Sequence, residues 1–464
     1  MFSTAMTSPI ESAASSLSPA ERFYRRGNGA FQREDWPAAA GFYRQALELD
    51  PAHGTAWLNL GLCLRRQGHI EAAYGCTLRA QELMPDDPTV LTNLGNILVD
   101  LYRAEEAVAC HKRAVAQRPD DIRMVRNLIL ALREAGRFEE SLTACDRYLE
   151  QEPEHNQVLW ERAQALFYLE RYPEAWTTFE HRWQRAAIRE QLPADLAFWQ
   201  GEDLSGKTIL VFEEQGFGDK ILCARYIPLL AARGATVTLL CNPALHGLFS
   251  TLPGKVTAEV TEPEAFDYAV AMMSLPGLFG TDPTREAPPP PPPLMSKAKL
   301  PERLQQRLDA GNGRWKIGIV WSGNPAFYNN SKRAASVEHF LPLAQIPGVQ
   351  LYSLQKGPNE GDLAQAGGSG LVIELGPYLK NFAQTAAILQ QLDLTIMTDS
   401  GIAHLAGSLG LPIWNLLHYR PYWLYGSTGE TTPWYPSMRL FRQPTPGDWD
   451  SVFDAVAEEL KRSQ

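Results

Sequence analysis

The sequence has no stretch of the ~20 apolar residues that a membrane-crossing helix requires, and Arg225 interrupts even the best candidate, residues 221–230. Its N-terminus lacks a basic start followed by an apolar run, so it does not read as a secretory signal. Residues 1–19, rich in Ser and Ala, are expected to form a disordered tail. Cysteine is scarce. The six residues Cys63, Cys76, Cys110, Cys145, Cys223 and Cys241 form no CxxC pair and no Cys/His spacing that would hold zinc. They read as small buried thiols of a reducing, cytoplasmic protein. Positive charge is also in deficit, with 43 Lys and Arg against 53 Asp and Glu and a net charge of −10. That balance argues against a general binder of nucleic acid or anionic membrane.

What is present begins with a repeat. Pro51, Pro85, Pro119 and Pro153 stand 34 residues apart. Gly27, Gly61 and Gly95 keep the same period, as do Ala39, Ala73 and Ala107, and Ala46, Ala80 and Ala114. Small residues let paired helices approach, and proline ends the second helix of each pair. The pattern resembles the tetratricopeptide repeat. Repeats run over residues 20–53, 54–87, 88–121 and 122–155, the fourth worn by Ile129 and Tyr148, and a degenerate fifth carries Tyr172, Ala175 and Phe179 to about residue 185. Asn59, Asn93 and Asn127 occupy one position of three successive repeats. Stacked carboxamides there can clamp the backbone of an extended peptide; alternatively each bonds a neighbouring helix.

After a linker at 186–206 the texture changes. A short apolar run at 207–213, a Glu-Gln-Gly-Phe-Gly-Asp turn at 214–219, a helical stretch at 220–233 and a strand at 236–240 form a βαβ unit of a parallel sheet. Further strands are expected at 255–260 and 268–272, giving a first Rossmann-like lobe over 207–285. A Pro-rich linker at 286–313 follows; its six prolines, 288–293, predict a stiff spacer of about 19 Å. The second lobe, 314–464, has expected strands at 316–321, 349–354, 393–398 and 412–417, with helices at 381–392 and 449–461. Two successive parallel lobes imply a ligand held between them, beyond the carboxyl ends of the strands.

The turns suggest chemistry. The 216–219 turn lacks a third glycine, since position 221 is Ile, and no acid follows the second strand, so dinucleotide binding is not indicated. No Gly-Lys-Ser/Thr follows that turn either. Gly216 and Gly218 leave room for a substrate, and Asp219 stands at a helix start, where it can accept a proton from a hydroxyl or simply cap its helix. The helix end is expected to lower its pKa. In the second lobe Asp399, Ser400, Gly401 and His404 sit on a strand-to-helix turn suited to an anion or to the hydroxyls of a sugar diphosphate. Lys332 or Arg333, in the loop opened by Asn324, can neutralise a leaving phosphate, and Gln355 and Lys356 end a strand on the same side. Asp448-Trp-Asp450 imitates a metal-binding DxD, but Asp450 is better explained as a helix cap.

Together EQGFGD, SKRAAS, SLQKGP, DSGIAHLAGSLG and PWYPSMRLFRQPTPGDWDSV resemble the glycosyltransferase family nine domain, the heptosyltransferase-like group, fused to tetratricopeptide repeats. The resemblance implies a glycosyltransferase B fold, inversion without metal or other cofactor, and a nucleotide-sugar donor. It implies Asp219 as base, Lys332 or Arg333 as the diphosphate ligand, and the Asp399 turn as the grip on the donor. It further implies a protein acceptor such as flagellin, recruited by the repeats in the cytoplasm, or a saccharide acceptor of the lipopolysaccharide type. Two departures stand out: the first lobe is short, and the loop is not the Arg-rich version usual in the fused relatives.

Overall fold

The computed structural model describes residues 17–184, 196–262, 265–292, 294, 298–325 and 330–463. Residues 1–16 of the expected tail and 186–195 of the 186–206 linker, with Pro293 and residues 326–329 of the Lys332 loop, therefore lie outside the described residues. The chain divides into two compact units, Met1–Ala165 and Leu166–Gln464.

The first unit is an array of helix pairs: Pro19–Gln32 with Trp36–Leu49, Gly54–Arg66 with Ile70–Leu83, Pro88–Asp100 with Ala104–Gln117, and Ile122–Glu134 with Phe138–Leu149. Asp35, Asp87 and Asp121 cap helix starts with their carboxylates, and Ser18 caps the first with its hydroxyl. The recurring glycine has a packing reason. A Cβ on Gly27 would fall 2.6 Å from the Tyr43 ring, one on Gly61 2.6 Å from Thr77, and one on Gly95 2.5 Å from His111. In each pair the first helix leaves out a side chain where the second inserts one. The fourth repeat reverses the sizes, with Ile129 in the glycine position and Cys145 opposite it in the same buried cluster.

The second unit holds two all-parallel sheets. The smaller contains β1 (Thr208–Phe212), β2 (Thr236–Leu240), β3 (Lys255–Thr257) and β4 (Tyr268–Ala271) in the order β3-β2-β1-β4. The larger contains β5 (Trp315–Val320), β6 (Val349–Ser353), β7 (Val372–Glu374), β8 (Leu394–Thr398), β9 (Ile413–Leu417) and β10 (Met438–Arg442), in the order β10-β9-β8-β5-β6-β7. Chain order reverses between β1 and β4 in one sheet and between β5 and β8 in the other. Such reversals leave an opening beyond the strand ends, because successive crossovers lie on opposite faces. The EQGFGD turn follows β1 and the DSGIAH turn follows β8, so each occupies a reversal point.

Three expectations are refined. Residues 198–199 are not merely linker: Phe198 bridges to Ala269 at the β4 edge and Trp199 is buried. The proline run lies against the protein instead of projecting as a free spacer, for Pro288 and Pro292 are buried and Pro289 accepts a hydrogen bond from Arg225. The stretch from Leu166 to Arg182, read in the sequence as the end of the repeats, packs within the second unit. Trp176 lies over Gly277 and donates to the Thr281 carbonyl at 2.8 Å, while Phe167 stacks on Trp423 at 4.2 Å.

Candidate functional site

The turn after β1 reaches its helix, Phe217–Cys223, through Gln215 in the left-handed region (φ 59°) and an extended Gly216. Asp219 then accepts the Gly216 N–H at 3.1 Å, so it caps this short helix from within. The turn after β8 runs through an extended Ser400 into the Gly401–Ser408 helix. Ser400 makes no cap bond with its side chain, and its Oγ lies 3.9 Å from the Met397 sulfur.

The two helix starts meet. A Cβ on Gly218 would fall 2.5 Å from Cδ2 of His404, and one on Gly401 would fall 3.4 Å from Cβ of Phe217. Glycine is required at 218 because another residue already fills the space. His404 is buried, with Nδ1 2.9 Å from the Tyr435 hydroxyl and Nε2 3.4 Å from that of Tyr425. Burial lowers its pKa to about 4, so the imidazole is neutral at pH 7. Its place is at the seam between the turns, with both ring nitrogens occupied.

Asp399 accepts the Tyr425 hydroxyl at 2.9 Å through Oδ1, and Arg333 approaches its Oδ2 at 3.9 Å. The Arg333 guanidinium lies over Gly323, where a Cβ would come within 2.6 Å of it. Arg333 is therefore brought to the DSGIAH turn. Lys332, one residue earlier, is partly buried, and Asn324 is exposed at the loop edge. Gln355 is positioned differently from a ligand-binding residue. Its Oε1 accepts the N–H groups of Trp321 and Ser322 at 3.1 and 3.0 Å, and its Nε2 donates to the Ser322 and Lys356 carbonyls at 3.0 and 3.3 Å. Its amide staples the ends of β5 and β6. Lys356 is half-exposed and lies 3.7 Å from Glu360.

Electrostatics depart from the sequence reading. Lost hydration pushes the Asp219 carboxyl up to about 6, and the Asp399 and Glu214 charges add to this, whereas the Gly216 N–H opposes it. Asp219 as a whole residue is half-buried, and burial of its carboxyl outweighs the helix end. Asp219 is thus a stronger base than an ordinary aspartate and still mainly ionised at pH 7.

Several neighbours escaped sequence reading. Residues 419–435 contain Tyr419, Tyr422, Trp423, Tyr425, Trp434 and Tyr435, an aromatic density that was the available signal. Arg225 is 2% exposed and donates to the carbonyls of Leu222, Pro289 and Trp434, tying the first lobe, the proline run and this loop together. Residues 201–208 also carry Gly-x4-Gly-Lys-Thr spacing, but they enter a strand instead of a helix, and Lys207 and the Thr208 N–H both bind Asp267. That is the wrong context for a phosphate loop. The helix cap near the C-terminus is Asp448, which accepts the Ser451 N–H; Asp450 instead pairs with His339 at 3.2 Å. Among the described residues, no three His, Cys, Asp or Glu side chains converge as metal ligands.

In the array the three asparagines are not equivalent. The Asn59 amide reaches Tyr24, Asn28 and Tyr43 at 3.3–3.5 Å, Asn93 donates to Thr89 of its own helix at 2.8 Å, and Asn127 is partly buried on Ile122–Glu134. No described helix is long and apolar enough to cross a membrane.

Comparison with known proteins bears first on the class. Residues 24–88, 92–154 and 126–189 match the tetratricopeptide repeat family, so the N-terminal region is a tetratricopeptide array. A curated relative is Protein FlbA of Caulobacter vibrioides, 29% identical over 330 residues that include 65% of this chain and 54% of the relative. The chain thus matches about half the length of that relative. Solved structures similar to the repeats include YrrB, described as a TPR protein with an unusual peptide-binding site (19% identity, TM-score 0.34, 39% of this chain and 95% of that one). PilF of Pseudomonas aeruginosa is another (23% identity, TM-score 0.32, 36% and 76% covered).

Proposed function

We propose that the chain is an inverting glycosyltransferase of the glycosyltransferase B type whose repeats recruit the acceptor. The observation that carries this reading is the meeting of the two reversal-point turns, which brings a carboxylate of raised basicity near Asp399, itself approached by Arg333. In this reading the Asp219 carboxylate takes the proton of an acceptor hydroxyl. The alcohol oxygen then attacks the anomeric carbon, the bond from that carbon to the diphosphate oxygen breaks, and the nucleoside diphosphate leaves with the electron pair. Arg333 and the N–H groups at the start of Gly401–Ser408 stabilise the developing charge, with Lys332 and Lys356 as further cations near the same rim.

The acceptor we propose is a serine or threonine hydroxyl of a protein, flagellin-like in the fused relatives, held by the array. The four-stranded first sheet offers few elements from which to build an acceptor site, and the repeats belong to a class suited to peptides. Calorimetric titration of UDP, GDP, ADP and their sugars into the full chain tests the donor half. We expect one of them to bind and binding to weaken in Arg333→Ala.

A second reading, a repeat scaffold with a non-catalytic C-terminal unit, is favoured by the closure of Gly218 on His404 and by the engagement of the Gln355 amide. Absence of binding by every nucleotide and nucleotide sugar would support it. A saccharide acceptor is distinguished by deletion of residues 1–165, which should spare transfer to a sugar and abolish transfer to a protein. Deletion to 185 is uninformative, because it also removes Trp176 and Arg182 from the second unit.

A further inference from the structure

Arg182 lies in the Glu180–Gln184 turn, just beyond the last repeat-like helix, Tyr172–Phe179. Its side chain is fully buried. Nε and Nη2 grip the Glu214 carboxylate at 2.9 and 2.6 Å, and Nη2 also donates to Ser274 Oγ at 2.7 Å. Nη1 donates to Glu180 at 2.6 Å and to the Phe179 carbonyl at 3.2 Å, while the Phe179 ring lies under the guanidinium at 4.3 Å. Ser274 in turn donates to Glu180 at 2.8 Å. All five guanidinium N–H groups are engaged, and Glu214 is itself 4% exposed. Glu214 directly precedes the left-handed Gln215, the residue that swings the chain into the Asp219 helix.

We propose that Arg182 is a positioning residue for Asp219: by clamping Glu214, a segment that is repeat-like in sequence sets the turn that carries the base. This rests on the reading of Asp219 as base, but the clamp itself is measurable without turnover. A buried ion pair that loses one partner leaves an uncompensated charge, whereas removal of both leaves none.

The test compares Arg182→Met, Glu214→Gln, the double variant and Arg182→Lys in the full chain, by hydrogen exchange of residues 213–223 and by the pH profile of transfer. Each Met or Gln single variant should speed exchange of that segment about tenfold or more, with the array unchanged, and the double variant should recover most of the protection. Arg182→Lys, which keeps the charge and loses the fork, should fall between. The groups facing Asp219 are Glu214 on its own turn, Cys223 on its helix, and Asp399, Tyr422 and Tyr435 from the opposite turn and loop. Of these, only the Glu214 charge is neutralised by Arg182, so Arg182→Met should move the acid limb of transfer to higher pH and Glu214→Gln should move it to lower pH. Unchanged exchange in Arg182→Lys and both single variants, or equal loosening of the whole unit without recovery in the double variant, overturns the proposal. Limbs that move together also overturn it. If exchange behaves as expected but no transfer is found for any variant or for the parent, the clamp stands and the transferase reading falls.

Discussion

The imidazole of His404 occupies the space that a side chain on Gly218 would need, 2.5 Å from where its Cβ would stand. Two turns more than 180 residues apart in the chain are thereby closed on one another, and the tight approach rests on the missing side chain of Gly218.

Gly218→Ala therefore drives a methyl group into the buried His404 ring. Overpacking of this kind costs about 1–3 kcal/mol, and denaturant unfolding should show a loss in that range. Gly216→Ala, whose Cβ would meet only Asp219 Oδ2 at 3.3 Å, should cost less.

Asp219 gives a prediction of opposite sign for stability and activity. Its folded pKa, about 6, lies above the unfolded value near 3.8, so the native state binds the proton more tightly. Stability falls as pH rises from about 4 to 6, and above that window the ionised carboxylate is a net cost of at most about 3 kcal/mol. Asp219→Asn should raise the melting temperature at pH 7 and change it little at pH 4. An aspartate serving only as a cap would give a less stable variant at pH 7.

His111 makes the array acid-sensitive. Both ring nitrogens are buried without a hydrogen-bond partner among the described residues, and burial lowers the pKa to about 4. The lowered value means that the unfolded chain binds the proton first, so stability is lost as pH falls from 6.5 towards 4. His111→Tyr, which reproduces the Tyr43 arrangement against Gly27, should flatten that loss in melts of the full chain followed by array peptides in hydrogen exchange.

Trp176→Ala should destabilise the second unit by about 3–5 kcal/mol, since it removes a large buried ring from Phe167, Phe179 and Trp423 and leaves the Thr281 carbonyl without its donor. Differential unfolding should place the loss in residues 166–464 and leave the array's transition in place.

Much of this was legible in the sequence, because local rules govern it. The 34-residue period marked the helix pairs, and alternation of apolar runs with glycine turns located eight of the ten strands among the described residues to within a few residues. The missed pair, β7 and β10, are the two edges of the larger sheet; one has three residues and the other places Arg between apolar side chains, so neither shows a clear strand pattern. Partner choice was not legible. Tyr172, Ala175 and Phe179 fit the repeat, yet periodicity reports a helix and not its neighbour, and Trp176 and Arg182 face the second unit. Asn59 and Asn93 share a repeat position but bond differently. Gln355 reads like a ligand and serves two strand ends. Burial raises the Asp219 carboxyl, and the Asp399 charge adds to it from far away in sequence, so the helix-end rule alone gives the wrong direction.

The most direct test of the account is the release of nucleoside diphosphate from a bound nucleotide sugar, measured for the parent chain and Asp219→Asn between pH 5 and 8 with the acceptor present. The account predicts a parent rate that falls about tenfold per unit below pH 6, and a variant that binds the donor equally well but turns over about 10²–10⁴-fold more slowly. Equal rates for the two proteins, or a parent profile flat through pH 6, would contradict it.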